Sequence, residues 1–218
     1  MNDSDTTTRD AVLALGSHEE LAQRLNLVPS RDMARGFVFI TTLNAVRSEA
    51  GEAVLKRCAT AAEGGSFIPF FNYPIRSLLR LFYTAAWELS GKYGGFERAM
   101  WHLGARSAPD FMKSAVGKML MALSGTNVKQ LISGIPVAYP TVYDHGSCTL
   151  VWTGTTSGQL HLHGNLLPPP FIEGAVVHVL QAVHPQGLFV QVRRVAPTKN
   201  VLTVSWEATQ GEDEPSSP

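Results

Sequence analysis

From Ile75 to Leu89 the apolar positions recur at helical spacing. Ile75, Leu78, Leu79, Phe82, Ala86 and Leu89 share one face, and Arg76, Arg80, Thr84 and Glu88 share the other. That is the pattern of a helix docked on a core. Pro74 suits its first turn, where no backbone donor is needed, and Gly91 suits its exit. Phe70, Phe71, Tyr73, Tyr83, Trp87, Tyr93, Phe96 and Trp101 crowd the same region. So many rings imply either a large core or the wall of an apolar ligand pocket.

The same periodicity sets the other elements. Ser17-His18-Glu19-Glu20 forms a capping box for a short helix to about Leu25. A helix is expected over 32–49, with Met33, Phe37, Ile40, Leu43 and Val46 inward, although Phe37 to Ile40 would also serve as a strand. Gly51 ends it, and another helix follows over 53–62. Gly94-Gly95 turns the chain into a helix from Phe96 to about Gly104, and Ser107-Ala108-Pro109-Asp110 caps one carrying Phe111, Ala115, Met119 and Leu123. A helical turn over 127–133 is broken by Gly134 and Pro136.

From Tyr139 the period changes to two. Strands are expected over 148–153 and 159–163 around a turn from Gly154 to Gly158, then a helix over 171–183 after three prolines, then strands over 188–195 and 201–206. The fold class is therefore α+β, a helical N-terminal half packed on a C-terminal antiparallel sheet of order strand-strand-helix-strand-strand. Residues 17–207 read as one domain, with 17–138 the helical half and 139–207 the sheet half. Residues 1–16 read as a flexible N-terminus and 208–218 as a disordered acidic tail.

Composition narrows the classes. At 44% hydrophobic and 17% charged, 218 residues can bury a full core. The formal charge is zero, but the segment between Ser30 and Glu207 holds 16 bases against nine acids. Those bases are spread singly, with only Lys56-Arg57 and Arg193-Arg194 adjacent, a poor footprint for nucleic acid. Cys58 and Cys148 have no motif spacing, which fits reduced thiols in a cytoplasmic protein. The polar, acidic start lacks the features of a signal peptide, and no run approaches the roughly 18 apolar residues of a membrane span.

The sharpest pattern for chemistry is His161-Leu162-His163. Residues two apart on a strand share a face, so both imidazoles can address one metal, with Cys148 and His145 as further ligands across the hairpin. The plainer alternative is a solvent-facing pair, with Leu160 and Leu162 on the core side. No Gly-x-Ser-x-Gly elbow or Gly-rich phosphate loop is present. Glu88 and Lys92 have the spacing of an exposed helical ion pair. His102, beside Trp101, can hydrogen-bond a ligand or serve structurally.

Phe70-Phe71-Asn72-Tyr73-Pro74, Gly94-Gly95-Phe96-Glu97, Leu103-Gly104 and Val204-Ser205-Trp206 resemble a myxobacterial paralogous family of about this length and no assigned function. The resemblance covers roughly residues 33 to 207. In layout the chain is also similar to haem-NO-binding (H-NOX) domains and to four-vinyl-reductase-type ligand-binding domains. That similarity implies a ligand held between helices and sheet, walled by Phe82, Trp87, Trp101, Phe111 and Tyr139. It also has departures. Tyr139 falls where H-NOX domains place the axial histidine, and the run from Trp152 to Gly158 lacks the arginine that holds haem propionates. No cofactor is therefore expected, and haem is disfavoured. The expected function is a non-enzymatic small-molecule sensor or regulatory adaptor, taking an apolar small molecule or a protein partner. The alternatives are a metal-dependent enzyme using His161 and His163, and a purely structural interaction module, which could be a homodimer.

Overall fold

A computed structural model describes residues 13–208; most of the expected flexible N-terminus, and the acidic tail from 209 onward, lie outside them. The chain runs α1 (His18–Leu27), β1 (Met33–Arg35), α2 (Gly36–Ala61), β2 (Asn72–Pro74), α3 (Ile75–Tyr93), α4 (Phe96–Lys113), α5 (Ala115–Ser124), α6 (Val128–Val142), β3 (Ser147–Gly154), β4 (Ser157–His163), α7 (Pro169–Gln181), β5 (Phe189–Ala196) and β6 (Lys199–Ser205). The fold is α+β, with helices packed on a four-stranded antiparallel sheet of order β3-β4-β6-β5. Helix α7 crosses from β4 past β6 to the outer strand β5. A second, two-stranded ribbon of β1 and β2 pins the starts of α2 and α3, and Ala34 bridges to Tyr143 at the end of α6. Among the described residues, no helix is long and apolar enough to cross a membrane.

Helix α3 is the centre of the core. Every residue of its expected inner face is buried, Tyr83 joins them, and the left-handed residue Gly94 (φ 74°) stops the helix three positions later than Gly91 would. Glycine tolerates that conformation because it carries no Cβ. Gly51 also has positive φ (77°) and kinks α2 where two helices were expected.

Two expected breaks fail. Residues 96–113 form one helix through Pro109, in which the Ser107 hydroxyl donates back to the Leu103 carbonyl; the cap proves to be Ser114, which accepts from the Gly117 amide and opens α5. Helix α6 likewise runs through Pro136 and Pro140 to Val142. Packing against neighbouring elements overrides the local penalty of these prolines. The Glu88–Lys92 pair is also replaced. Glu88 binds Arg57 and Lys92 binds Glu49, so both charges tie α3 to α2.

Only half of the expected capping box at Ser17 forms. The Ser17 hydroxyl accepts from the Glu20 amide at 3.1 Å. The Glu20 carboxylate turns inward instead, and Arg24 donates to it from Nε (3.0 Å) and Nη2 while also reaching the Leu166 carbonyl (2.7 Å). The Tyr83 hydroxyl donates to the second carboxylate oxygen, and Arg194 of β5 reaches the first at 3.2 Å. Glu20 and Arg24 are almost wholly buried. A charged pair survives there because each charge is matched by hydrogen bonds. The cluster fastens α1 simultaneously to α3 and to the sheet.

Candidate functional site

The inner face of the sheet carries the even-numbered residues of β3, β4 and β6, and Leu160, Leu162, Leu202 and Val204 on it are buried. The helices do not fill the space above it completely. A cavity of about 190 Å³ lies between Leu160, Leu162 and Leu202 below and α2, α4, α6 and α7 above. Phe37, Val38 and Thr41 come from α2, Ser107 and Phe111 from α4, and Ala138 and Val142 from α6. Helix α7 presents Phe171, Ile172, Ala175, Val176 and Val179, a stripe at helical spacing. A broader groove of about 780 Å³ adjoins the cavity and shares Phe37 and Thr41 with it. Phe37 and Phe111, whose ring centres are 6.1 Å apart, are half-buried at this border.

The wall has one polar end. Tyr139 and Tyr143 stand with ring centres 5.4 Å apart, and Asn165 lies beside Tyr139. The Asn165 amide donates to the Tyr139 hydroxyl at 3.2 Å, while its carbonyl oxygen accepts from the Leu167 amide (3.1 Å) and from Asn200 (2.9 Å). Burial pushes the Tyr139 phenol up to about 12, and burial, with the Tyr139 phenol next door, pushes Tyr143 up as well. Burial disfavours the phenolate, and among the described residues no cation offsets it, so both stay protonated. The hydroxyls of Thr41 and Ser107 donate to backbone carbonyls of their own helices. No lysine, arginine, histidine or carboxylate is among the lining residues.

The residues singled out from sequence separate into three groups. Phe111 and Tyr139 line the cavity. Phe82 lies one layer behind, stacked at 4.0 Å on Phe171. Trp87 and Trp101 lie elsewhere. Trp87 sits beside His18 and Tyr83 with its indole N–H on the Gly16 carbonyl, and Trp101 packs edge-on to His102, which itself stacks on Tyr93 at 4.0 Å.

The metal constellation does not assemble. Directly paired strand residues share a face. Cys148 pairs with Leu162, on the helix side, whereas His161 pairs with Thr149 and His163 with Ser147, on the opposite side. His145 contacts the Met33 carbonyl. Among the described residues no three His, Cys, Asp or Glu are grouped to hold a metal. The sequence marks a helix over 171–183 and assigns no face of it to a pocket. Asn165, one residue past Gly164, carried no pattern that marks it.

Residues 27–207 match the family described as protein of unknown function, DUF2378. The chain belongs to that family. No curated protein matches it by sequence. Among solved structures, an H-NOX protein from S. oneidensis in the Fe(II)NO state aligns with a TM-score of 0.60 at 10% identity, covering 80% of this chain and 99% of that one. Fe(II) unliganded H-NOX from K. algicida aligns with a TM-score of 0.58 at 9% identity, over 80% of this chain and 97% of that one. At these identities the likeness is one of fold. It places this DUF2378 chain in the H-NOX-like architecture.

Proposed function

We propose that this DUF2378 domain is a small-molecule-binding sensor or regulatory module whose guest occupies the cavity between helices and sheet. The observation that carries the reading is an apolar void of about 190 Å³ at the seam of the two halves. Protein interiors are otherwise packed to crystal density. The pocket is open on one side, so part of its apolar lining lacks the packing contacts that an interior supplies. A guest that fills it recovers those contacts. Because it touches α2, α4, α6, α7 and the sheet together, it favours the arrangement of the halves that fits it best. The groove beyond Phe37 offers a route in.

The H-NOX relatives are described with Fe(II) and Fe(II)NO, so haem is the first guest to weigh. The residues here do not fit it. The wall has no histidine to ligate iron and no arginine for a propionate, and its two tyrosines are held as neutral phenols. The volume also falls below the roughly 300 Å³ at which drug-sized sites begin. A compact neutral organic molecule matches the space better. The wall offers no acid–base pair, which favours binding over catalysis.

Melting the protein against a panel of small neutral aromatics tests the reading. A guest at a hundred times its Kd should stabilise the fold by about 2.7 kcal/mol, and Ala138→Phe, which fills the cavity, should abolish the response. If no probe stabilises the wild type, or if the filled variant responds equally, the cavity is not a ligand site. A second reading, a protein-contact module, draws on Phe70 and Phe71, which are 73% and 59% exposed. Sedimentation of Phe70→Ser/Phe71→Ser against wild type tests it.

A further inference from the structure

The polar end of the cavity specifies more than an oily guest. Tyr139 is 8% exposed, and its oxygen is already taken as an acceptor by the Asn165 amide at 3.2 Å. Its own hydrogen has no acceptor among the described residues. A buried hydroxyl donor without a partner is uncommon, because it forgoes a hydrogen bond that water would supply. Asn165 cannot provide the missing acceptor. Its carbonyl oxygen already receives the Leu167 amide at 3.1 Å and Asn200 at 2.9 Å, which fixes the amide with its nitrogen toward Tyr139. That donation also polarises the phenol and strengthens its O–H as a donor. Tyr139 therefore brings to the lining of an apolar chamber a hydroxyl whose hydrogen has no protein acceptor among the described residues.

Charge narrows the complement. A carboxylate guest would be buried without a cation, and an ammonium guest without a carboxylate, because the lining has neither. Size narrows it again. A dry engineered cavity of about 150 Å³ holds benzene, so about 190 Å³ holds one ring with small substituents.

Resting on the ligand-binding reading above, we propose that the guest is a compact uncharged molecule bearing a carbonyl oxygen, and that Tyr139, held by Asn165, donates its hydroxyl hydrogen to that oxygen. The apolar body of the guest then lies between Phe171 and the Leu160–Leu162 face of the sheet. The pair selects among apolar molecules by the presence of an acceptor at one end.

Two probes of matched shape separate the claims: acetophenone, which carries the carbonyl, and isopropylbenzene, which does not. Titration calorimetry on wild type and Tyr139→Phe gives the ratio of their affinities in each protein. The expected result is that Tyr139→Phe weakens acetophenone by between about twofold and tenfold while isopropylbenzene is unchanged. Both probes binding with a ratio that Tyr139→Phe leaves untouched would overturn the proposal and leave the cavity reading standing. Neither probe binding wild type would overturn both. Should Tyr139→Phe fail to fold, the infrared carbonyl stretch of acetophenone bound to wild type decides instead. A shift to lower frequency than in alkane supports the hydrogen bond, and an alkane-like frequency refutes it.

Discussion

Helices α4 and α7 cross with their backbones almost touching, and Gly174→Ala puts that contact to a quantitative test. A Cβ on Gly174 would lie 2.0 Å from the Trp101 carbonyl oxygen and 3.1 Å from the Ala105 nitrogen. Reciprocally, a Cβ on Gly104 would lie 2.1 Å from the Phe171 carbonyl oxygen. An ordinary carbon–oxygen contact needs about 3.3 Å or more, so the helices must part by roughly 1.3 Å. The obstacles are backbone atoms, so no rotamer change relieves them. Overpacking of this kind costs about 3 kcal/mol at the upper end of the usual range, offset by about 1 kcal/mol from the better helix propensity of alanine. The net loss is about 2 kcal/mol. In a domain of this size that lowers the melting temperature by about 4–8 °C. Gly91→Ala is the control, because Gly91 sits in α3 with nothing within 4 Å of its Cβ position; it should gain up to about 1 kcal/mol. Gly104→Ala with Gly174→Ala should cost less than the sum, since one separation relieves both clashes. Scanning calorimetry reads all four variants, Gly104→Ala alone included. A Gly174→Ala melt within a degree of wild type, or above it, would refute the close-crossing argument.

Other outcomes follow from the charge clusters and thiols. Glu20→Ala strands the buried Arg24 and should cost about 3–5 kcal/mol in urea unfolding; a loss under 1 kcal/mol would mean that the cluster is not a fastening. The Lys92 ammonium, then the Tyr93 hydroxyl, hold the Glu49 carboxyl below its ordinary 4.5. A depressed carboxyl contributes stability that is full above the unfolded value and fades as pH falls through the folded one. Glu49→Gln should therefore flatten the acid limb of stability below about pH 4.5 and leave the neutral region parallel. Burial pushes Cys58 up to about 11, and its side chain is inaccessible, so an aromatic disulfide reagent at pH 8 should label it only at the rate of unfolding. Replacing His161 and His163 together by Ala should leave the melting temperature within about 1 °C, with or without added zinc, because both lie on the face of β4 away from the core.

The fold was legible where one physical pattern dominated. The 3.6-residue period of α3 and the alternation of β4 report burial directly: the expected inner face of α3 is buried, and Leu160 and Leu162 lie on the core side of β4. Pro109 and Pro136 misled because local propensity is weaker than packing, and helices with such buried faces tolerate a missing donor. The site was half legible for a related reason. Aromatic density marked α3, but rings that fill a core and rings that wall a void have the same sequence signature. Phe82 fills, Phe111 walls, and only the placement of α7 above the sheet separates them. Leu103-Gly104 stood out as a motif with no reason attached. Its reason is a carbonyl on another helix, a contact that no one-dimensional reading contains.

The segment common to the DUF2378 family starts at residue 27, the last residue of α1. A protein cut back to that shared segment would therefore lose Glu20 and Arg24 with the rest of α1. It would leave the Tyr83 phenol with no oxygen to address, the Leu166 carbonyl bare and the Arg194 guanidinium without its carboxylate. Anyone shortening this chain for crystals or spectra should keep the stretch from Gly16 onward, or find the sheet unmoored from the helix at its centre.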